Sequence, residues 1–368
     1  MKITGVELRR VLLPLVSPFQ TSFGTETERD ALLIRVVSAD AEGWGECVAS
    51  TRPLYSSEYT DGAIDVLRRH FLPTLAAGGP IDAVGLGPLL SPYKGHPMAK
   101  GALEMAVLDA QLRAEGASFG SYLGAVRPRV AAGVSVGIMS SIEALLDAVA
   151  GYLEEGYQRI KLKIQPGWDV EPVGAVRERF GDGVPLQVDA NTAYTLADAP
   201  LLARLDAYDL LLIEQPLGED DMVDHAALAR QIRTPVCLDE SITSAKTASD
   251  ALALGACSVV NIKAGRVGGY LEARRVHDVC VAAGVPVWCG GMVETGLGRA
   301  ANVALAALPG FVLPGDTSGS DRFYAQDVTA PFVLDAGELA VPTGPGLGVD
   351  VLPDVLAERT TWSEWIGF

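Results

Sequence analysis

Cysteine, histidine and basic residues are scarce in this chain, and each scarcity argues against a class of protein. The five cysteines are scattered, odd in number and without a C-x-x-C spacing, so we expect reduced core thiols rather than a disulfide framework or a zinc site. None of the four histidines ends a strand-like apolar run, which argues against a zinc or iron centre. With 29 basic and 46 acidic residues the net charge is −17, which argues against nucleic acid or an anionic membrane as a partner.

Long hydrophobic runs are also missing. The apolar stretches are interrupted well short of the ~20 residues that a membrane helix needs. The opening segment, MKITGVELRRV, alternates like a strand and lacks the unbroken apolar region of a signal peptide. We therefore expect a cytoplasmic protein without a membrane partner.

Charged residues recur in the second half of the chain at a nearly constant interval, each at the end of a short apolar run. The runs are RIKLKI with Lys163, LQVDAN with Asp189, LLIEQP with Glu214, VCLDE with Asp239 and VVNIKAG with Lys263. The steps between these residues are 26, 25, 25 and 24, and a strand, a helix and two short loops fill such an interval. This cadence predicts the βα units of a barrel, in which the chemistry lies at the carboxyl ends of the strands.

The length predicts a barrel and one smaller domain. At 368 residues the chain exceeds a plain barrel of roughly 250 residues by about a hundred. We predict an α+β capping domain over 1–125, a barrel over 126–320 and a C-terminal segment, 321–368, that returns to the capping domain. The predicted barrel strands are VAAGVSVG, RIKLKI, LQVDAN, LLIEQP, PVCLDE, VVNIKA, VPVWCGG and FVLPGD. The clearest predicted helices are 98–116, 196–205 and 270–284.

Strand geometry assigns the charged side chains to faces, because alternate residues of a strand point the same way. The residues assigned to the barrel interior are Lys161, Lys163, Asp189, Asn191, Asn261 and Lys263. Of the neighbours Asp239 and Glu240, we assign Asp239 inward, where it continues the cadence, and leave Glu240 to the strand end. A K-x-K pair is also typical of an exposed strand edge, and here the cadence selects the barrel mouth.

Three carboxylates on adjacent strands, Asp189, Glu214 and Asp239, predict a metal site. They offer hard oxygen ligands and no nitrogen or sulfur, a set that suits Mg²⁺ or Mn²⁺. A single acidic residue at a strand end is more commonly a helix N-cap or a turn former. Three of them at matched depth favour the metal site.

The lysines that flank these carboxylates predict acid–base chemistry. A metal bound to a substrate carboxylate acidifies the proton on the adjacent carbon. A lysine that removes this proton needs a pKa about 3 units below its ordinary value near 10.4, and we expect repulsion between Lys161, Lys163 and the cation to lower it. Lys163 and Lys263 on opposite sides of the mouth permit racemisation and also serve elimination.

Motifs along nearly the whole chain resemble a known family. They are PFQTSFGTETER, GWGECVA, PLYSSEY, MAKGALEMAVLDA, GVSVGI, GYQRIKLKI, QVDANTAYTL, LIEQPL, CLDESI, NIKAGRVGGY, WCGGMVETGLGRA and LPGDTS. Together with the K-x-K pair and the three carboxylates, they are similar to the muconate-lactonising subgroup of the enolase superfamily. Within it, the chain resembles the o-succinylbenzoate synthase / N-acylamino acid (N-succinylamino acid) racemase family. A lysine base acting with Mg²⁺ is a known device of this superfamily.

The resemblance implies an α/β fold, a cofactor and an assembly. The implied fold is a (β/α)7β modified TIM barrel with an α+β capping domain built from the N-terminal region and the C-terminal tail. The implied cofactor is Mg²⁺, replaceable by Mn²⁺ or Co²⁺, the substrate is a small carboxylate such as an N-acylamino acid, and the chain forms a homo-oligomer, for which an octamer is one expectation. The implied site has three metal ligands, Asp189, Glu214 and Asp239; an acid/base pair, Lys163 and Lys263; and two groups that polarise the substrate carboxylate, Lys161 and Asn191.

Capping loops and further barrel residues are expected to contact the substrate. Phe19, Phe23 and Tyr55 either pack between the domains or, as the resemblance favours, form a lid over the substrate's hydrophobic side chain. The residues expected to contact the acyl group are Ser135, Gly137, Gly291 and Met292. Arg266 is expected to tune the pKa of Lys263, and Glu240 is an auxiliary residue. Two departures from relatives are Ser50, in place of a larger apolar residue, and Ala264, in place of proline; they bear on side-chain preference and on loop stiffness.

Three functional interpretations stay open. The leading one is an N-acylamino acid racemase with o-succinylbenzoate synthase activity in the same site, since both reactions begin with loss of a proton next to a metal-bound carboxylate. The second is an enzyme on the same scaffold with a different reaction, namely a physiological o-succinylbenzoate synthase of menaquinone biosynthesis, a dipeptide epimerase or a muconate-lactonising enzyme. The third is a catalytically silent scaffold, which is disfavoured because nothing structural requires two lysines facing a cation.

Overall fold

The computed structural model describes residues Met1–Phe368, and its strands form three sheets. The strands are β1 Ile3–Thr21, β2 Gly24–Ser38, β3 Glu42–Cys47, β4 Arg129–Ala131, β5 Gly133–Val136, β6 Arg159–Lys163, β7 Leu186–Asp189, β8 Ile213–Glu214, β9 Val236–Leu238, β10 Val259–Ile262, β11 Val287–Cys289, β12 Glu338–Ala340 and β13 Thr360–Gly367. A four-stranded antiparallel sheet has the order β13-β1-β2-β3, a seven-stranded parallel sheet runs from β5 to β11, and β4 pairs with β12.

Helices pack on the four-stranded capping sheet and on the seven-stranded parallel sheet. The α-helices are α1 Thr60–Val66, α2 Leu72–Ala77, α3 Ala83–Leu90, α4 Pro97–Glu115, α5 Phe119–Leu123, α6 Ile142–Glu154, α7 Val170–Phe180, α8 Ala199–Leu202, α9 Met222–Ala229, α10 Ala245–Leu254, α11 Ala264–Val267, α12 Tyr270–Ala282, α13 Gly296–Ala306 and α14 Pro353–Arg359. A π-helical turn, Leu67–Phe71, joins α1 to α2, and 3₁₀ turns lie at Leu196–Asp198, Ala203–Tyr208 and Ser320–Arg322. None of the helices combines the length and the hydrophobicity that crossing a bilayer requires.

The predicted helices 98–116 and 270–284 are present as α4 and α12, but the one predicted over 196–205 is broken into three short pieces. Pro200 lies in the first turn of α8, where its missing N–H is tolerated. It cannot continue a helix that begins earlier, because its ring would clash with the preceding turn. The prediction of one continuous helix here is therefore wrong.

The capping domain contains both ends of the chain, since the first and last strands lie side by side in its sheet. The C-terminal strand β13 pairs antiparallel with β1, which also pairs with β2. The long helix α4 packs so closely on β3 that a Cβ atom at Gly45 would lie 2.0 Å from the carbonyl oxygen of Ala102, which only glycine allows. The predicted return of the C-terminal tail to the capping sheet is confirmed, while the boundaries at 125 and 320 stay predictions.

The barrel has seven regular strands and an irregular eighth segment. The predicted run FVLPGD forms only isolated parallel bridges, from Phe311 to Val287 of β11 and from Gly315 to Ala132 before β5. These bridges close the ring between its first and last strands. Pro314 lacks an N–H group and cannot donate to a sheet, which accounts for the irregular pairing. The structure is a capped (β/α)7β barrel, which confirms the predicted fold.

The register of the parallel strands brings the charged residues to one level. Lys163 of β6 pairs with Asp189 of β7, which pairs with Glu214 of β8. Glu214 pairs in turn with Cys237 of β9, two residues before Asp239. Parallel strands in register end together, so these side chains meet at the carboxyl end of the barrel.

Glu46 of β3, in the capping domain, forms hydrogen bonds with the barrel helix α13. Its carboxylate accepts hydrogen bonds from the Thr295 N–H (3.0 Å), the Thr295 hydroxyl (2.6 Å) and the Gly298 N–H (3.0 Å) at the start of α13. The positive end of a helix dipole favours a carboxylate here. Burial nevertheless raises the pKa of Glu46 to about 7, against the opposing effects of the Thr295 bonds and the Arg29 charge.

This raised pKa predicts how stability depends on pH. Between about pH 4.5 and 7 the folded protein holds a proton on Glu46 that the unfolded chain releases, so the free energy of unfolding falls as pH rises through this window. The loss for Glu46 is on the order of 3 kcal/mol. Glu46→Gln should flatten the decrease between pH 5 and pH 8 in urea unfolding. The exposed Glu42 of the same strand is the control: Glu42→Gln should keep the wild-type slope, and equal slopes for both variants would contradict the assignment.

Candidate active site

Three lysines and three carboxylates meet at the carboxyl ends of β6 to β10. All six side chains are buried, with exposed fractions from 0 % at Glu214 and Asp239 to 7 % at Lys163. Lys163 Nζ lies 2.6 Å from Asp189 Oδ2, Lys263 Nζ lies 2.7 Å from Asp239 Oδ2, and Lys161 Nζ lies 3.1 Å from Glu214 Oε2. Because buried charges are costly unless paired, each lysine stabilises a carboxylate from another strand: Lys163 and Lys263 pair with the adjacent strand, and Lys161 pairs with the next but one.

The lysine pKa values differ from the sequence-based expectation. Burial lowers the pKa of Lys161, but the charges of Asp316, Glu214 and Asp189 outweigh burial and raise it. Burial also lowers the pKa of Lys263, and the charges around it, Asp239 first among them, raise it well above its ordinary value. Among the protein groups alone, the carboxylates that face Lys161 and Lys263 therefore outweigh like-charge repulsion, and the lowering expected beside a bound cation stays a prediction.

The donor chemistry at this level fits a divalent cation. Asp189, Glu214 and Asp239 offer only oxygen atoms, and buried Asp239 Oδ1 and Glu240 Oε2 have no hydrogen-bond partner. No three carboxylate, imidazole or thiolate groups already converge at metal-binding distance, because the carboxylates turn towards lysines and towards Asn261, whose Nδ2 lies 2.6 Å from Glu214 Oε1. Buried carboxylate oxygens without a hydrogen-bond donor are nevertheless the kind of ligand that Mg²⁺ prefers.

A second group of side chains orders the lysines. Asn191 accepts from Lys163 Nζ at 2.7 Å through Oδ1 and donates to Glu240 Oε1 at 3.0 Å through Nδ2. Arg266 Nη1 donates to the Glu240 carbonyl oxygen at 2.9 Å. Glu240, which we left to the strand end, is therefore buried and holds the amide of Asn191, and Asn191 itself has a left-handed backbone (φ 41°).

The capping loops reach the lysines directly. Tyr55 Oη accepts from Lys263 Nζ (2.9 Å) and Arg266 Nε (3.2 Å) and donates to Asp239 Oδ2 (3.1 Å). Phe23 packs on Tyr55 with ring centroids 5.6 Å apart, and Phe19 packs edge-on against Phe323 at 6.0 Å. Phe19 also lines the cavity described next, so it has a place in the packing between the domains and in the cavity wall.

Two adjoining cavities lie above the lysines. The larger, about 490 Å³, extends to the capping domain and is lined by Phe19, Thr21, Phe23, Glu26, Arg29, Ser50, Tyr55, Lys163, Asn191, Lys263, Gly291, Met292 and Val293. The other, about 440 Å³, reaches towards β5 and is lined by Phe19, Gly133, Ser135, Lys161, Lys163, Lys263, Gly291, Val293, Glu294, Asp316, Ser318 and Phe323. Gly137, expected at the acyl group, lines neither cavity, because it packs against the backbone of Gln20.

Asp316 is a site residue that the sequence analysis missed. Its Oδ2 lies 2.6 Å from Lys161 Nζ and its Oδ1 lies 2.9 Å from Arg159 Nη2. Lys161 also lies over the Trp288 ring, 4.7 Å from its centroid. A signal was present: Asp316 ends the eighth predicted strand run, 53 residues after Lys263, which is two intervals of the cadence.

A capped barrel whose mouth holds buried lysines among carboxylates defines a class of acid–base enzymes. The sequence matches the family model "Enolase C-terminal domain-like" over residues 144–355 and the model "Mandelate racemase / muconate lactonizing enzyme, N-terminal domain" over 3–124. The chain belongs to the mandelate racemase / muconate lactonizing enzyme family of the enolase superfamily. Members of this superfamily are enzymes that depend on a divalent metal.

Several named enzymes are similar to this chain over nearly its whole length. An N-succinylamino acid racemase from an Amycolatopsis species is 68% identical over 367 residues, 100% of both chains. An o-succinylbenzoate synthase from Geobacillus stearothermophilus is 46% identical over 354 residues, 95% of this chain and 94% of that one. The crystal structure of an enolase-superfamily member from Listeria innocua superposes with a TM-score of 0.96 at 41% identity, covering 100% of this chain and 99% of that one.

The carboxylate set predicts the metal dependence. Asp189→Asn, Glu214→Gln and Asp239→Asn should each weaken binding of Mn²⁺ or Mg²⁺ by at least about tenfold, because each removes one anionic ligand. Isothermal titration calorimetry of the metal alone measures this directly, and thermal unfolding checks that each variant is folded. Glu178→Gln, at an exposed position of α7, should bind metal like the wild type. Wild-type metal affinity in all three site variants would contradict the assignment.

Proposed function

We propose that the protein racemises N-acylamino acids, with N-succinyl and N-acetyl amino acids as substrates, by removing and returning the proton on the carbon next to the carboxylate. The observation that carries this proposal is the placement of Lys163 on β6 and Lys263 directly after β10. Both line the same cavity, and the three strands that bear the carboxylates lie between them. Two lysines so placed reach a bound carbon atom from different sides.

Each lysine has partners that hold it at the cavity. Lys163 is fixed by Asp189 and Asn191, and Lys263 is fixed by Asp239 and the Tyr55 hydroxyl. In the proposed reaction, one lysine takes the α-proton from one face, and the other delivers a proton to the opposite face, which inverts the carbon. Lys161, held by Asp316 and Glu214, places a positive charge where it can neutralise the substrate carboxylate.

A Mg²⁺ ion held by Asp189, Glu214 and Asp239, with Mn²⁺ or Co²⁺ as substitutes, would supply the charge that makes the α-proton acidic. The same carboxylates also set the pKa of Lys161 and Lys263. Among the charges near Lys263, Asp239 raises its pKa most, and a carboxylate shared with a cation stabilises an ammonium group less. A cation on these carboxylates would thereby lower the pKa of Lys263 towards the range that a general base needs.

A second activity, o-succinylbenzoate synthesis, is favoured by the similarity to the Geobacillus enzyme of that name. In that reaction a proton and a hydroxyl group leave the substrate as water, so one lysine suffices to take the proton. The test of both activities uses purified protein with Mg²⁺ or Mn²⁺. N-succinyl and N-acetyl amino acids are followed by polarimetry, and the cyclohexadiene precursor of o-succinylbenzoate is followed by absorbance. Absence of turnover on all three would overturn the proposal.

We further propose that the protein is a cytoplasmic homo-oligomer, with an octamer as the assembly to test. All five cysteines are free and buried, as expected in a reducing compartment. β13 is an edge strand of the capping sheet and exposes 52 % of Trp365, with Phe368 40 % exposed beside it. Exposed aromatic groups on an unpaired edge support an interface between subunits.

The lysine variants test the two-base assignment. Lys163→Arg and Lys263→Arg should each lower racemisation by about 10²–10⁴-fold, because inversion needs both groups. In D₂O the wild type should exchange the α-proton of both enantiomers, which mass spectrometry detects. Each variant should exchange the proton of one enantiomer only, and the two variants should differ in which one.

Lys246→Arg is the matched control, since Lys246 is 77 % exposed on α10 and pairs only with Asp250. It should racemise and exchange at the wild-type rate. Racemisation near the wild-type rate in either site variant would show that the acid/base groups lie elsewhere.

A further inference from the structure

Gln215, the residue that follows Glu214 at the end of β8, has a backbone conformation that is uncommon for a residue with a side chain. Its φ angle is 38°, in the left-handed region, and the residue is fully buried. Strained backbone of this kind persists where the surrounding structure determines it, and it is concentrated at functional sites. The hydrogen bonds of Gln215 show what holds it in this conformation.

The main chain of Gln215 links the three strands that bear the candidate metal ligands. Its N–H donates to the Cys237 carbonyl oxygen of β9 at 2.9 Å. Its own carbonyl oxygen accepts from the Thr192 N–H at 2.9 Å, three residues after Asp189. Because Glu214 is its neighbour in the chain, this one residue touches the main chain close to all three carboxylates.

The side-chain amide of Gln215 makes a second link from β8 to the end of β9. Its Oε1 accepts from the Asp239 N–H at 3.0 Å and from the Ser241 N–H at 3.2 Å. Its Nε2 donates to the Ser241 hydroxyl at 2.8 Å and to the Leu217 carbonyl oxygen at 3.2 Å. An amide supplies the acceptor and the two donors that these partners need, whereas a carboxylate would place an acceptor against the Leu217 carbonyl oxygen.

These bonds restrain the main chain from which two of the carboxylates extend. Glu214 precedes Gln215, and the N–H group that the amide holds belongs to Asp239 itself. Mg²⁺ requires near-octahedral oxygen ligands at about 2.0–2.1 Å, whereas Ca²⁺ accepts more ligands in a looser arrangement at about 2.3–2.6 Å. A restrained pair of ligands therefore favours the smaller ion, and a freely moving pair loses that preference.

We propose that Gln215 is a positioning residue that holds Glu214 and Asp239 at a spacing suited to Mg²⁺ and thereby increases the preference of the site for Mg²⁺ over Ca²⁺. The inference rests on the metal site of the proposed function. Gln215 lines neither cavity above the lysines, so it acts through the main chain of the two ligands. Outer residues that orient metal ligands commonly change metal affinity about 10–100-fold when they are replaced.

Isothermal titration calorimetry with Mg²⁺ alone and with Ca²⁺ alone tests the proposal. The quantity to compare is the ratio of the two affinities. Gln215→Met keeps a side chain of similar size and removes the four side-chain hydrogen bonds. It should weaken Mg²⁺ binding about 10–100-fold and Ca²⁺ binding much less, so that the ratio falls about tenfold or more. Thermal unfolding checks that the variant is folded at the temperature of the titration.

Two milder variants and a control connect the effect to the amide. Ser241→Ala removes one partner and leaves Gln215 in place, so it should lower the ratio by a smaller factor. Gln215→Glu keeps the acceptor for the two N–H groups and should retain more of the ratio than Gln215→Met, since its added charge attracts both ions. Gln231→Met is the control, because Gln231 is exposed and its side chain bonds only to the Ala227 carbonyl oxygen. It should keep the wild-type ratio.

The possible results separate the inference from the metal site itself. A purely structural role predicts a lower melting temperature with an unchanged affinity ratio in the folded variants, and that result would overturn the inference while leaving the metal site established. If Gln215→Met does not fold, an unchanged ratio in Ser241→Ala has the same meaning. Binding of neither ion by the wild type would instead overturn the metal site of the proposed function, and the inference with it.

Discussion

The pairing of lysines with carboxylates from other barrel strands is the interaction on which the site depends. Each charge is buried, and each would be costly alone. Strand register brings Lys163, Asp189 and Glu214 to one level, so every charge finds an opposite charge within about one hydrogen-bond length. The same proximity that stabilises the folded barrel also places the proposed acid/base groups beside potential metal ligands, so a bound cation would compete with the lysines for the same oxygens.

The capping domain contributes a different set of groups. Tyr55 touches Lys263 and Asp239, and Glu46 holds the start of α13, so the cap is fastened both at the site and beside it. The barrel strands supply the groups proposed to move the proton, whereas the cap supplies aromatic rings and polar groups around the cavity. This division between the domains explains how one scaffold can serve several substrates, because the cap can change without altering the barrel charges.

The sequence predicted the fold and the position of the charged residues because both follow from simple periods. A constant interval of about 25 residues predicts βα units, and the alternation of a strand predicts which residues face inward. The sequence analysis missed Asp316, because the regular interval of charged residues was followed only as far as Lys263 and the eighth run, which contains Pro314, is irregular. It did not foresee that carboxylates raise the pKa of Lys161 and Lys263 in the protein alone, since the charges that face a side chain come from other strands and depend on register. The sequence could not predict, for the same reason, that Arg29 Nε and Nη2 have no hydrogen-bond partner. The nearby carboxylates of Glu46 and Glu294 accept hydrogen bonds from other residues.

Two reactions in one site follow from a common first step. Racemisation and dehydration both begin with loss of the proton next to a carboxylate, and the groups proposed for that step all lie at the ends of β6 to β10. The two reactions differ in the second step. In racemisation a proton is delivered from the opposite face, and in dehydration a hydroxyl group leaves. Lys163 and Lys263 are both at the cavity, so the barrel does not select between the two outcomes. The selection falls to the groups that orient the rest of the substrate, and the residues that line the cavity away from the lysines include Arg29, Glu26 and Ser50.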